Sequence, residues 1–363
     1  MNENSTCSKT IGIWISDKKS QKLNWKELKI ACNSHGYNVI KLDLESPLEN
    51  QGRMDVFLHK LTDIIAAADQ GDHKAARIIG DVEQYLSNHP SITVIDKLDN
   101  VRILLNRYNY YTILHEESSL QNQGIFTPTF AEFVTSNPQQ NLEIMRQRKV
   151  TFPVICKPTI AHGSKSAHEM VLVFNERGLG VCKPPCVVQS FVNHNAVLHK
   201  VFLVGNRYHI CERPSLKNFY PSEDLDPIYY RTGEVCKADS QSTLSILDPH
   251  DVTHNNLKPD EDRIKSIIRV LRRKIGLLLA GFDVVIDNVT GSHAVIDINV
   301  FPSYDTFPNF FEHLLESIDE MAAGGAVYPY GDYISGYPSH AVNGLRNVGD
   351  DCGPVAVKGM NIN

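Results

Sequence analysis

The chain has 363 residues, 42% hydrophobic and 21% charged, the fractions of an ordinary soluble protein with room for two to three domains. Its net charge of −6 excludes a general nucleic-acid binder, which needs a broad basic face. A small polyanionic ligand stays open, because local positive charge suffices for it.

The longest apolar run, 275–282, is too short for membrane insertion, and the polar start MNENSTCSKT lacks a signal-peptide core. Eight scattered cysteines without a CxxC pair read as reduced thiols of a cytoplasmic protein. Cys182 and Cys186 form a lone CxxxC that reads as chance rather than a zinc site.

In chain order, IGIWIS (11–16) is a buried-type strand followed by the basic loop DKKSQK. Asn24 opens a helix with Glu27 at capping-box spacing, and Gly36 closes it. YNVIKLDL (37–44), MDVFLHK (54–60) and SITVID (91–96) are further strands, with helical runs at 63–68 and 74–87. Asp99 is expected to cap a helix that continues past Tyr110. Strands alternating with helices predict a βαβ domain whose ligand lies beyond the carboxyl ends of the strands. Lys18, Lys19 and Lys22 fall there after the first strand, and His59 and Lys60 after the third.

A second unit begins near Phe126, with a helix at 141–149 and the strand TFPVICKP (151–158) carrying Lys157 at its end. A lysine there calls for an acid or an anion, since an unpaired buried ammonium is costly. The loop TIAHGSKSAHEM places Gly163 among small residues, where backbone can approach phosphate, with His162, Lys165 and His168 as donors. MVLVF (170–174), PCVVQSFVNHN (185–195) and a strand pair turning at Gly205-Asn206 follow. Lys200 alternates in phase with Leu198 and Phe202 and so shares an apolar face. The run RPSLKNF sets Arg213, Ser215 and Lys217 in an extended loop, and 220–242, without period, reads as a mobile connection.

After an amphipathic helix at 260–274 comes the hairpin GFDVVIDNVTGSHAVIDINVFPSY (281–304). A ladder symmetric about Thr290 puts Asp283 opposite Asp297, with Asn299 two residues along on the same face. Facing carboxylates destabilise a sheet unless a cation joins them, and oxygen-only ligands suit Mg²⁺ that also holds phosphates. Helix 307–321 follows. From 322 to 363 the Gly, Tyr, Pro and Asn content reads as a disordered tail.

The stretches DVFLHKLTD (55–63), FPVICK (152–157), AHG (161–163), HEM (168–170), PPCVVQ (184–189), NHNAVL (193–198), RPSLKNF (213–219) and HAVIDIN (293–299) run colinearly over about 11–320. Their order resembles the ATP-grasp superfamily, and more closely the inositol 1,3,4-trisphosphate 5/6-kinase (inositol-tetrakisphosphate 1-kinase) family. The resemblance implies an α/β ATP-grasp fold: an N-terminal βαβ domain (1–109), a small central α+β domain (110–185), a C-terminal mixed-sheet domain with the metal site (186–321) and the tail (322–363). It also implies a monomeric kinase that moves the γ-phosphoryl of ATP to a hydroxyl of an inositol tris- or tetrakisphosphate, releasing ADP. A carboxylate–amine ligase of the same superfamily and an inositol-phosphate-binding adaptor are the alternatives.

Carried over by resemblance, Arg107 and Lys157 hold ATP phosphates, while Gln189, Ser190, Phe191, Val192, Asn193 and His194, on to Lys200, line the nucleotide pocket with Ser215. Lys19, Lys60, His168, Lys200, Asn299 and Ser303 meet the acceptor. Asp283, Asp297 and Asn299 carry Mg²⁺, as two ions, and Lys157, Lys200 and Asp297 are the catalytic set. Three departures stand out: Ser303 where the family reads Phe-Pro-Gly-Tyr, Cys236 where a serine is expected, and one extra residue after AHG.

Overall fold

Three sheets carry the chain in the computed structural model, which describes residues 9–21, 23–163, 165–251, 257–323 and 335–337. Lys22 and the side chains of Lys18 and Lys165 lie outside the described part. The N-terminal sheet has four parallel strands in the order Tyr37–Lys41, Lys9–Trp14, Val56–His59, Thr93–Ile95, as the alternating pattern predicts. Asn24 caps its helix, accepting from the Glu27 N–H at 3.2 Å, but the Glu27 carboxylate returns to the Asn24 side-chain amide at 2.9 Å rather than to the backbone N–H of a full capping box.

The helix expected to run from Asp99 past Tyr110 is two helices, Leu98–Leu105 and Arg107–His115. Asn106 breaks it. Its extended backbone bridges to Ile160, and its side chain caps the second helix through the Asn109 N–H. Arg107 thereby becomes the first residue of a helix beside the central unit. Asp99 lies inside the first turn, after the cap position Lys97.

The central sheet is antiparallel, in the order Ile228–Arg231, Glu169–Val173, Val154–Pro158, Cys186–Ser190, Phe130–Phe133. It includes Cys186–Ser190, beyond the expected 185/186 boundary. Its edge strand comes from 220–242, which was expected to be an aperiodic connection. Alternate residues of that strand, Ile228 and Tyr230, pack against a small cluster around Leu172 and Phe219. The C-terminal sheet runs Ser335–Tyr337, Arg207–Pro214, Val197–Val204, Leu279–Ile286, His293–Val300, Ile125–Phe126. Of the expected tail, Ala322 ends the helix Phe310–Ala322, and Ser335–Tyr337 pairs parallel with Arg207–His209. The rest of the tail lies outside the described residues. No helix among the described residues is long and apolar enough to cross a membrane.

The first and last sheets share one core. Ile11, Ile13, Phe57 and Leu104 belong to the same buried cluster as Val201, Phe202, Phe282, Ile298 and Leu315. The central unit has its own, built on Phe133, Leu142, Met145, Val154, Val188 and the buried Cys156, Cys182 and Cys186. Polar ties reinforce the shared core. The Asp96 carboxylate accepts from the Leu278 and Leu279 N–H groups at 2.7 and 3.0 Å. His35 reaches Asp319 at 2.8 Å and Glu312 at 3.1 Å on the last helix.

The hydrogen bond to Asp319 raises the His35 pKa above its usual value, against some loss of hydration and with help from Glu312. A raised histidine pKa contributes stability in full below about 6.5, lost as pH rises through the folded value. The melting temperature of wild type should therefore exceed that of His35→Ala most at pH 6, with the gap closing toward pH 9. A constant gap would show that the imidazole acts by packing alone.

Candidate active site

Lys157 ends the strand Val154–Pro158 facing the C-terminal sheet, and is buried. Its ammonium donates to Gln189 Oε1 at 2.8 Å, Tyr111 Oη at 2.8 Å and the Ile296 carbonyl at 2.9 Å. That carbonyl is available because the hairpin bulges. The register passes from Asp283 opposite Asp297 to Val284 opposite Val295, leaving Ile296 as the extra residue. Tyr111 Oη donates to the same oxygen at 2.6 Å. Burial pulls the Lys157 pKa down to about 8, with Asp297 opposing the shift.

Asp283 and Asp297 do face each other, but not through symmetry about Thr290: beside the turn Ile286 pairs with His293 and Val285 with Ala294, and the bulge at Ile296 is what brings the two acids opposite. Asp283 accepts from Lys200 Nζ at 2.8 Å, its direct neighbour on the next strand. Asp297 accepts from Tyr110 Oη at 2.6 Å and Asn299 Nδ2 at 3.2 Å, with Arg107 Nε 3.9 Å away. The two carboxyls are driven apart in pKa. Burial raises Asp283 despite Lys200, whereas at Asp297 the burial penalty is outweighed by Arg107 and Lys157, which hold it below the usual range. Against its own desolvation, Lys200 is raised by Asp283 and stays charged.

The donor chemistry fits a hard cation: two opposed carboxylates and an amide, all oxygen donors, on rigid strands. Among the described residues no group of three or more His, Cys, Asp or Glu is arranged to hold a metal. The third oxygen here belongs to Asn299.

A cavity of about 300 Å³ lies over this site between the central and C-terminal sheets. Arg107, Lys157, His168, Gln189, Ser190, Phe191, Val192, His194, Lys200, Ser215, Asp283, Asp297 and Asn299 line it. Gln189 Nε2 is buried without a hydrogen-bond partner, the kind of donor that an incoming base can satisfy. Asn193 is not in the wall. Its Oδ1 accepts from the Phe219 N–H at 2.9 Å, so it braces the RPSLKNF loop. His194 is neutral and structural as well: Nδ1 donates to the Val192 carbonyl at 2.6 Å, and Nε2 accepts from Ser215 Oγ at 2.8 Å. Burial lowers its pKa to about 4. Asn195 and Asn218 complete the clamp, Asn218 accepting from the Asn195 N–H at 2.9 Å and donating to its side chain at 2.9 Å.

A second cleft, of about 740 Å³, opens toward the N-terminal sheet and shares Leu198, Lys200, Cys236, Lys237 and Asp283 with the first. Lys19, Lys60 and Ser303 line it, but His168 and Asn299 stay on the first cavity's wall. Lys60 Nζ donates to the Phe301 carbonyl at 2.8 Å and Lys19 Nζ to the Pro302 carbonyl at 3.0 Å. His59, expected beside Lys60, points inward. Its Nε2 donates to the Asp96 carbonyl at 2.7 Å, and burial lowers its pKa to about 4.

The glycine loop also departs from expectation. The Gly163 N–H donates to Asp63 Oδ1 at 3.2 Å, and a Cβ there would meet Ala66 Cβ at 3.0 Å. His162 is held neutral, its pKa lowered to about 4 by burial. Arg107 braces this loop from behind: Nη1 donates to the Pro158 and Ile160 carbonyls at 2.6 and 3.4 Å, and Nη2 to the Ala167 carbonyl at 3.2 Å. Tyr110 and Tyr111 were missed in the sequence, though they stand three and four residues after Arg107 on one helix face.

The family model described as inositol 1,3,4-trisphosphate 5/6-kinase ATP-grasp domain matches residues 119–320, and the pre-ATP-grasp domain model matches residues 10–101. The chain belongs to this family. It is 42% identical over 319 residues to inositol-tetrakisphosphate 1-kinase of Danio rerio, covering 87% of this chain and 80% of that one. It is 41% identical over 312 residues to the Xenopus laevis protein of that name, covering 85% and 78%. The solved structure of D-cycloserine synthetase DcsG covers 86% of this chain and 99% of its own at a TM-score of 0.56 and 13% identity, a likeness of ATP-grasp fold alone.

Within the inositol 1,3,4-trisphosphate 5/6-kinase family framework, the Cys236 departure falls on the wall common to both cavities. Ser303 lies in the second cleft, its hydroxyl on Asp305 at 2.9 Å. Because a lysine cannot reproduce the guanidinium fork, Arg107→Lys should lose stability of about 1–3 kcal/mol. The urea midpoint should fall at unchanged m-value, with faster proteolysis within 160–168.

Proposed function

We propose that this chain is an ATP-dependent kinase transferring the γ-phosphoryl group to a hydroxyl of an inositol tris- or tetrakisphosphate, as a cytoplasmic monomer. The observation that carries the reading is the pair of cavities meeting at Lys200 and Asp283. One is an apolar-walled slot suited to a nucleotide base. The other is lined by lysines from two units, suited to a phosphate-rich acceptor. A carboxylate–amine ligase would share the first half, but the similar relatives are named as inositol-tetrakisphosphate 1-kinases.

Phosphoryl transfer asks the protein for alignment and charge neutralisation more than covalent chemistry. Lys157 meets the phosphate chain from the central unit, and Lys200 stands where the transferred group passes between cavities. Lys200 keeps its proton beside Asp283, so it offers positive charge throughout rather than acting as a base. Lys19 and Lys60 orient the acceptor from the N-terminal sheet. Asp283, Asp297 and Asn299 would hold Mg²⁺, two ions in this reading, whose charge offsets that of the phosphates. Tyr110, Asn299 and Arg107 fix Asp297 for that task.

Incubation with Mg²⁺-ATP and a panel of inositol tris- and tetrakisphosphates should give a more phosphorylated peak on anion-exchange chromatography. No product from a folded, ATP-binding protein would refute the kinase reading. Asp297→Asn should cut kcat by about a hundredfold or more while calorimetry still detects ATP binding; near-normal turnover would remove Asp297 from the metal set. Lys60→Ala should raise the KM of the inositol phosphate well above any change in the KM of ATP. Equal rises in both would place Lys60 elsewhere.

A further inference from the structure

Three lysines of the acceptor-side cleft already rest on protein oxygens: Lys19 on Pro302, Lys60 on Phe301 and Lys200 on Asp283. Arg213, in the same cleft, is held more loosely. Its side chain is only 11% exposed, yet Nη2 lies 3.7 Å from Asp305 Oδ2 and Nη1 makes a long 3.4 Å bond to the Glu212 carbonyl. A guanidinium brings five N–H donors in a planar fork, and one long bond with a distant carboxylate leaves most of that capacity for the cleft. Asp305 is 61% exposed, and an ion pair with so wet a partner contributes little.

The other oxygen of Asp305 is engaged. Ser303 Oγ donates to Oδ1 at 2.9 Å, so the hydroxyl that distinguishes this chain from the glycine usual at this point steers the acid paired with Arg213. The segment is pinned just upstream, at the Phe301 and Pro302 carbonyls. Exchange of Arg213 partners therefore needs a movement of Asp305 only.

We propose that Arg213 is a specificity-determining contact for a phosphate group of the acceptor. Asp305 holds its place until the acceptor arrives, and Ser303 tunes the exchange. A phosphate meets the fork with two oxygens and more charge than a carboxylate, so it displaces Asp305. The acid in turn penalises acceptors whose phosphate pattern leaves it in place beside another anion. The kind of acceptor rests on the kinase reading above; the partner exchange does not.

The test is calorimetric titration of the full chain with inositol 1,3,4-trisphosphate, without nucleotide, alongside ATP titrations. Arg213→Gln should weaken trisphosphate binding on the order of tenfold or more. Asp305→Asn should tighten it several-fold and Ser303→Gly should tighten it less, all with unchanged ATP affinity. The gain from Asp305→Asn should vanish in the Arg213→Gln background. Persistence of that gain in the double variant, or unchanged affinity in both Asp305→Asn and Ser303→Gly, would overturn the proposal. Should Arg213→Gln melt early, those two exposed positions still decide. Wild type that binds the trisphosphate but transfers nothing refutes the kinase reading alone; wild type that binds ATP but no trisphosphate refutes both.

Discussion

Two carboxylates opposed across one hairpin, Asp283 and Asp297, set the charge problem that the rest of the site answers. Each would be unfavourable beside the other without cations. The answer comes from all parts of the chain: Lys200 from the same sheet, Arg107 from the helix leaving the N-terminal unit, Lys157 from the central sheet. The acid pair therefore acts as a joint between units as well as a site. The Ile296 bulge is what lets the central unit dock there, because it turns a backbone carbonyl out of the ladder toward Lys157 and Tyr111.

The same geometry explains what the sequence made legible. The hairpin was legible from its turn, although the Ile296 bulge is what sets Asp283 opposite Asp297; alternation found Lys200, a cation in phase with apolar neighbours, and Lys157 stood out as a cation ending a short strand. His59 was misplaced because the strand Val56–His59 is buried at every position, so alternation carries no information about which face meets the ligand. Asn193 failed for another reason. In NHNAVL and RPSLKNF, polar residues serve each other as loop clamps, and only contacts across the fold separate a clamp from a pocket wall. The strand Ile228–Arg231 and the short Ser335–Tyr337 add to sheet edges, where pairing with a distant strand overrides weak local preference.

The described apolar contacts gather into one large cluster and a smaller one within the central unit. The N-terminal and C-terminal sheets are welded through one core, to which the central sheet adds Phe130 and Val187; polar contacts join it to them as well, Gly163 with Asp63, Arg107 with Pro158, Ile160 and Ala167, and Lys157 with Ile296. Polar contacts of this kind can be exchanged for contacts with a bound anion at modest cost.

The welded core also has a consequence for synthesis. The first hundred residues leave the ribosome with an apolar face whose partners, Phe282, Ile298 and Leu315, arrive almost two hundred residues later. The central unit, with most of its core supplied by residues 131–188, can close while the rest is being made. The N-terminal sheet must wait for the last strands, and its uncovered face is the surface that a chaperone would have to shield in the interval.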